Sequence, residues 1–99
     1  MKVIISGSTR GDLVEGFDFY EDQESGAGWY FLECIYAEMD SLKITGGIHS
    51  KPFKRHHRVV CQRHPFGIFY KLVAGDVIVE AVLDSRRNPA WIKRKLRNL

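Results

Sequence analysis

The sequence predicts an α+β domain in the order βααβββα, with an antiparallel sheet packed against an N-terminal helical hairpin. Apolar residues in the first half recur every three or four positions, as they do on one face of a helix. The second half contains three runs rich in β-branched and aromatic residues, separated by turn signals. Asn88-Pro89 is typical of a helix start and predicts a short C-terminal helix. A chain of 99 residues suits one domain, spanning 1–99.

The first half is predicted to form one strand followed by two helices. Lys2–Ile5 is a short β-rich run that ends in polar turn residues. The first helix begins soon afterwards and is most regular from Asp12 to about Glu24, and the second covers Trp29–Leu42. The glycine-rich turn Ser25–Gly28 is short, so the two helices should be antiparallel.

The second half is predicted to form the rest of the sheet. A basic loop, His49–His57, leads into strands at Arg58–Arg63, Phe66–Val73 and Asp76–Asp84. Ala74-Gly75 is the length of a two-residue hairpin turn, which would pair Tyr70 with Val79. Side chains alternate along strands, so this register predicts one core face. That face consists of Phe66, Ile68, Tyr70, Leu72, Val77, Val79, Ala81 and Leu83.

Composition excludes several classes of protein. No run approaches the roughly 18 apolar residues of a membrane-spanning helix, and the start has no apolar stretch of signal-peptide length. We therefore expect a cytoplasmic protein. Cys34 and Cys61 are too few for a disulfide scaffold and lie in apolar surroundings, so we expect reduced core thiols. A single disulfide between them is the alternative.

Charge is distributed unevenly along the chain. Residues 1–42 carry nine acidic and two basic side chains, whereas residues 43–99 carry thirteen basic and three acidic ones. A domain polarised in this way would attract polyanions or an acidic protein to its basic side. The alternative is a distribution without functional meaning.

Basic residues cluster where the last strand leads into the final helix. Arginine side chains bind phosphate or carboxylate through two parallel hydrogen bonds, so this cluster predicts a surface for nucleic acid or an acidic peptide. A solvated rim with no binding role is the alternative. The cluster consists of Arg58, Arg63, Arg86, Arg87, Lys93, Arg94, Lys95 and Arg97.

The histidines offer a possible general base, but the sequence predicts no metal or cofactor site. All four lie on loops beside the arginines, at His49, His56, His57 and His64. Cationic neighbours could lower a histidine pKa and hold a phosphate under attack. No Cys or carboxylate stands at metal-ligand spacing, and the glycine pattern lacks the elements of a dinucleotide site.

The sequence resembles the ParE branch of the RelE/ParE toxins, which belong to bacterial type II toxin–antitoxin and plasmid stabilisation systems. The resemblance rests on Phe66–Lys71, the hairpin that follows, Ala81–Asp84, Ser85–Pro89 and Trp91, and it extends over almost the whole chain. It implies the βααβββα arrangement and a toxin neutralised by a cognate antitoxin.

The resemblance implies one of two activities. RelE-like members are ribosome-dependent messenger RNA endoribonucleases, for which Arg58 and Arg87 would contact phosphate and His56 or His57 would accept the proton. The expected third-strand arginine is Gly67 here, and the arginines that remain do not by themselves form a site for phosphodiester cleavage.

We therefore expect a ParE-like protein that binds DNA gyrase without chemistry of its own. A non-toxic relic that acts as an interaction domain is the further alternative. The partner antitoxin should be an acidic or amphipathic segment, disordered when free. Contacts to target or antitoxin would come from the basic cluster together with Trp91, which equally suits a role as an anchor for the last helix.

Overall fold

The computed structural model describes all of residues 1–99, and its elements follow the predicted order βααβββα. Helices α1 and α2 run longer than the sequence periodicity indicated, β2 is shorter than predicted, and β3 and β4 have the predicted bounds. The elements are β1 (Val3–Ile5), α1 (Gly7–Gln23), α2 (Ala27–Thr45), β2 (His57–Val60), β3 (Phe66–Val73), β4 (Asp76–Asp84) and α3 (Pro89–Arg97).

The four strands form one mixed sheet in the order β1-β4-β3-β2. Strands β2, β3 and β4 are antiparallel, as predicted. Strand β1 instead runs parallel to β4, with Val3 opposite Val77 and Ile5 opposite Val79. Because both helices separate β1 from the other strands in sequence, the connection is long enough for a parallel pairing.

A β-bulge on β4 interrupts the pairing of the central hairpin. Tyr70 lies opposite Val79, as predicted, but the preceding residue Phe69 lies opposite Ala81. Glu80 is therefore an extra residue on β4. A bulge of this kind shifts the alternation of side chains between the two faces of the sheet.

The prediction that Ala81 and Leu83 share a core face with Val77 and Val79 is consequently wrong. Both pack with Phe69 in a cluster beneath α3, whereas Val82 packs in the larger cluster beneath α1 and α2. Leu72, at the turn end of the predicted core face, is exposed. The sheet thus has an apolar cluster on each face, and α3 covers the face opposite the helical hairpin.

The helical hairpin is held by close contacts between its two helices. Gly16 lets the ring of Phe31 approach α1, because a β-carbon at Gly16 would lie 2.5 Å from that ring. At the turn, the Glu21 carboxylate accepts hydrogen bonds from the backbone N–H groups of Gly26 and Gly28. It thereby satisfies donors at the start of α2 that have no partner within the helix.

Both cysteines are free, as predicted. Cys61 lies in the core, where burial raises the pKa of its thiol to about 12. Cys34 is only half-buried, so the expectation of a core position is wrong for this residue. None of the helices has the length and apolar character needed to cross a membrane.

Candidate binding surface

Arg86 is the one member of the predicted basic cluster that pairs with a carboxylate. Its Nη2 and Nε donate to the two carboxylate oxygens of Asp84 at 2.8 and 3.1 Å, and its backbone N–H also donates to Asp84. The Arg86 hydrogen bond holds the pKa of Asp84 below its usual value. This pairing fixes the turn that follows β4 and occupies the guanidinium group of Arg86.

Arg87 is oriented differently, because it stacks on an aromatic ring. Its guanidinium carbon lies 4.3 Å from the centre of the Trp91 ring, and Nζ of Lys95 lies 5.4 Å from the same centre. Trp91 and Lys95 are four residues apart on α3 and so share a helix face. Trp91 is half-buried and packs against the apolar cluster beneath α3, so it both anchors the helix and carries the two cations.

This aromatic and basic group borders a cleft of about 380 Å3 between α1 and α3. Acidic side chains line the α1 side of the cleft. Burial raises the pKa of Asp12, even though its carboxylate accepts a hydrogen bond from the backbone N–H of Val82. The cleft is therefore mixed in charge. Its lining includes Asp12, Glu15, Phe19, Asp84, Arg86, Arg87, Trp91 and Lys95.

The rest of the predicted cluster is divided over the molecule. Lys93 and Arg97 line a separate cavity on α3, and Arg94 is exposed. The aliphatic stem of Arg58 lies across Gly67 of β3. A β-carbon at Gly67 would lie 3.3 Å from this stem. Arg63 lies on the other side of the sheet, where Nη1 donates to the Tyr30 hydroxyl at 2.7 Å.

His56 is fully buried on the α3 side of the sheet. Its Nε2 donates to the Glu80 carboxylate at 2.9 Å, and its Nδ1 is buried without a hydrogen-bond partner. Lys71 lies 3.1 Å from the same carboxylate oxygen. Although burial raises the pKa of Glu80, the hydrogen bonds from His56 and Lys71 bring it below its usual value. The β-bulge residue is thus held by two cationic or polar partners.

His57 points to the opposite face, where it stacks on Tyr70 with ring centres 4.9 Å apart. Its Nδ1 donates to the backbone carbonyl of His49 at 2.6 Å. The Tyr70 hydroxyl accepts from the N–H of Gly47 and lies 2.6 Å from Nδ1 of His49. Burial lowers the pKa of His49. These contacts fasten the long loop that leads into β2.

His64 is packed among aromatic rings and has no polar partner for Nδ1. Its ring centre is 5.0 to 5.5 Å from those of Tyr20, Tyr30 and Phe31. Burial lowers its pKa. The four histidines therefore occupy three separate environments. The side chains of His57 and Arg58, which are consecutive on β2, lie on opposite faces of the sheet.

An apolar groove between α1 and α2 was not predicted as a functional surface. Trp29 is 66% exposed and Val14 is 60% exposed, although Trp29 follows the apolar spacing of three and four residues that the buried side chains of α2 share. The aromatic rings of Phe17 and Trp29 meet edge to face at 4.9 Å. The groove holds about 380 Å3 and is lined by Arg10, Leu13, Val14, Phe17, Trp29, Leu32 and Tyr36. The breadth of the apolar stripe on α2 was the available sequence signal.

Comparison with known proteins identifies the fold. The sequence matches no protein-family model and no curated protein sequence. The structure is similar to a chain of the solved structure described as "Chromosomal ParDE TA system from P. aeruginosa", with a TM-score of 0.74 and 13% sequence identity. The similarity covers 83% of this chain and 92% of that chain. The predicted RelE/ParE-like fold class is therefore confirmed.

Proposed function

We propose that this chain is the toxin of a type II toxin–antitoxin pair, that it acts in the cytoplasm, and that it arrests growth by binding DNA gyrase. The observation that carries the proposal is the fold, shared over 83% of the chain with a component of a ParDE system. The sequence motif from Phe66 to Trp91 supports the same assignment independently of the fold.

Binding, rather than RNA cleavage, is favoured by the positions of the basic and histidine side chains. Phosphodiester cleavage requires a proton acceptor and charge stabilisation around the same phosphate. His57 and Arg58 are neighbours on β2 and point to opposite faces of the sheet, and His56 is buried against Glu80. These contacts argue against a shared catalytic centre for the ribonuclease alternative.

The surface proposed for gyrase is the group formed by Arg87, Trp91 and Lys95. A half-buried tryptophan flanked by two cations without carboxylate partners has the character of a binding hot spot. Arg86 contributes less to this contact, since Asp84 already holds its guanidinium group.

The antitoxin is proposed to place an amphipathic helix in the groove between α1 and α2. Apart from Arg10, the residues that line this groove are hydrophobic, as helix-in-groove recognition requires, and Arg10 would pair with an acidic residue of the antitoxin. Neutralisation would then use a surface separate from Arg87 and Trp91, so target and antitoxin contacts can be altered independently.

Induced expression in bacterial cells tests the proposal. We expect growth arrest with loss of plasmid supercoiling, and primer extension should reveal no new messenger RNA ends. New ends inside codons would identify the ribonuclease instead, and undisturbed growth would identify a non-toxic relic. Arg87→Glu is the matched variant, since it should restore growth while the protein accumulates to the same level.

A further inference from the structure

A second cavity on the α3 side of the sheet combines cationic and apolar side chains. It holds about 240 Å3 and lies between the loop before β2 and one face of α3. We call it the loop–α3 pocket. Its lining consists of Phe53, Lys54, Arg55, Lys93, Leu96 and Arg97.

The cations of the loop–α3 pocket are not neutralised within the protein. The ion pairs of the structure join Asp40 to Lys43, Glu80 to His56 and Lys71, and Asp84 to Arg86, so none reaches this pocket. Lys54, Arg55, Lys93 and Arg97 therefore face one concave site without a carboxylate. Like charges gathered in a concavity raise the local potential and attract a ligand with several negative charges.

The loop side of the pocket is held in place from both ends. Phe53 packs on Phe69, with ring centres 6.2 Å apart, and His56 is buried against Glu80. Between them, Lys54 adopts the left-handed conformation, at a φ of 74°, and its N–H donates to the Lys51 carbonyl at 3.0 Å. A non-glycine residue in this region costs about 1 kcal/mol or more, so the surrounding contacts must impose it.

The helix side is equally defined. Lys93 and Arg97 are four residues apart and share a face of α3. Leu96 between them is buried in the cluster with Ile92, which fixes the rotation of the helix. Two cations from a fixed helix thus oppose two from an anchored loop.

We propose that the loop–α3 pocket binds the phosphodiester backbone of a nucleic acid, with phosphates on the four cations and a sugar against Phe53. Arginine side chains suit phosphate because they donate two hydrogen bonds in one plane. An amphipathic peptide requires an apolar groove, whereas four of the six residues that line this pocket are cations. The apolar groove of this protein lies between α1 and α2. The inference goes beyond the proposed function, since it requires neither gyrase nor ribosome.

Fluorescence anisotropy of the purified chain with duplex DNA and with single-stranded RNA, from about 50 to about 200 mM salt, tests this pocket. The Lys54→Gln/Arg97→Gln double variant should weaken binding about tenfold at low salt and reduce the slope of log K against log salt by about 1 to about 2. The control is Lys2→Gln/Lys43→Gln, which removes the same charge from exposed lysines outside the pocket. Lys93→Gln tests the helix side without altering the loop.

A loss confined to one probe identifies duplex DNA or single-stranded RNA as the source of the backbone, and a loss with both identifies the shared phosphodiester. An equal change in the pocket and control variants overturns the proposal. The proposal is also overturned if the pocket variant loses binding to poly-glutamate but retains binding to both nucleic acids, because the pocket would then bind an acidic polypeptide. Because the assay contains neither gyrase nor antitoxin, its failure leaves the proposed function standing.

Discussion

The guanidinium carbon of Arg87 lies 4.3 Å from the centre of the Trp91 ring. Arg86, its neighbour in sequence, is instead bound to Asp84 through both carboxylate oxygens. Two adjacent arginines of one predicted cluster therefore differ in what they can offer a partner. Arg87 presents an unpaired cation on an aromatic support, whereas Arg86 contributes mainly to the turn.

This difference predicts unequal effects of charge reversal on target binding. Arg87→Glu should weaken the affinity for gyrase by about 2 kcal/mol or more, as expected for a hot-spot arginine. Arg86→Glu should weaken it by less, although it breaks the contact with Asp84. Surface plasmon resonance with immobilised gyrase measures both variants. Equal losses would mean that the contacts of these two arginines do not distinguish their roles.

Neutralisation is predicted to depend on the groove between α1 and α2. Val14→Lys should reduce antitoxin affinity by about tenfold or more, because it places a charge in an apolar groove. The exposure of Val14 implies a change in folding stability of about 0.5 kcal/mol or less. Titration of the toxin with its antitoxin measures the affinity. A variant that is still neutralised with unchanged affinity would exclude this groove.

The Glu80 network predicts an acid-sensitive contribution to stability. Its pKa is lower in the folded chain than the usual value of 4.5, so its contribution is present above about pH 4.5 and is lost as the pH falls through the folded-state pKa. Glu80→Gln should therefore destabilise the protein by about 1 kcal/mol near neutral pH. Urea unfolding at several pH values should show this difference shrink below about pH 4.5. A constant difference would indicate that the charge of Glu80 is not involved.

Two glycines of α1 predict opposite responses to the same substitution. Gly16→Ala places a methyl group 2.5 Å from the ring of buried Phe31 and should destabilise the protein by about 1 to 3 kcal/mol. Gly11→Ala meets no atom within 4 Å and should stabilise the helix by about 0.5 to 1 kcal/mol. Urea unfolding of both variants measures the pair. Similar free energies of unfolding would contradict the close contact between Gly16 of α1 and the Phe31 ring of α2.

Local sequence signals were sufficient for β3 and β4. Ala74-Gly75 supports a two-residue turn with positive φ at both positions, which fixes Tyr70 opposite Val79. Further from the turn the prediction fails, because the bulge at Glu80 is held by contacts with His56 and Lys71 from other parts of the chain. No periodicity within β4 could reveal those partners.

The candidate site was predicted in part, for a related reason. The sequence placed Arg87 and Lys95 in one basic cluster with Trp91 beside it, and the structure brings these three residues together. The shared helix face of Trp91 and Lys95 follows from their spacing of four residues on α3. Arg63 and Arg87 are distant in sequence, and their separation by the sheet depends on long-range packing. The parallel pairing of β1 with β4 is likewise set by tertiary contacts that local patterns do not encode.

The most direct test of gyrase binding is a supercoiling assay with purified gyrase, relaxed plasmid and the purified chain. The wild-type chain should inhibit supercoiling in a concentration-dependent manner, and Arg87→Glu should require at least about tenfold more protein for the same inhibition. Unimpaired supercoiling at a large molar excess of folded wild-type chain would contradict a gyrase-binding toxin.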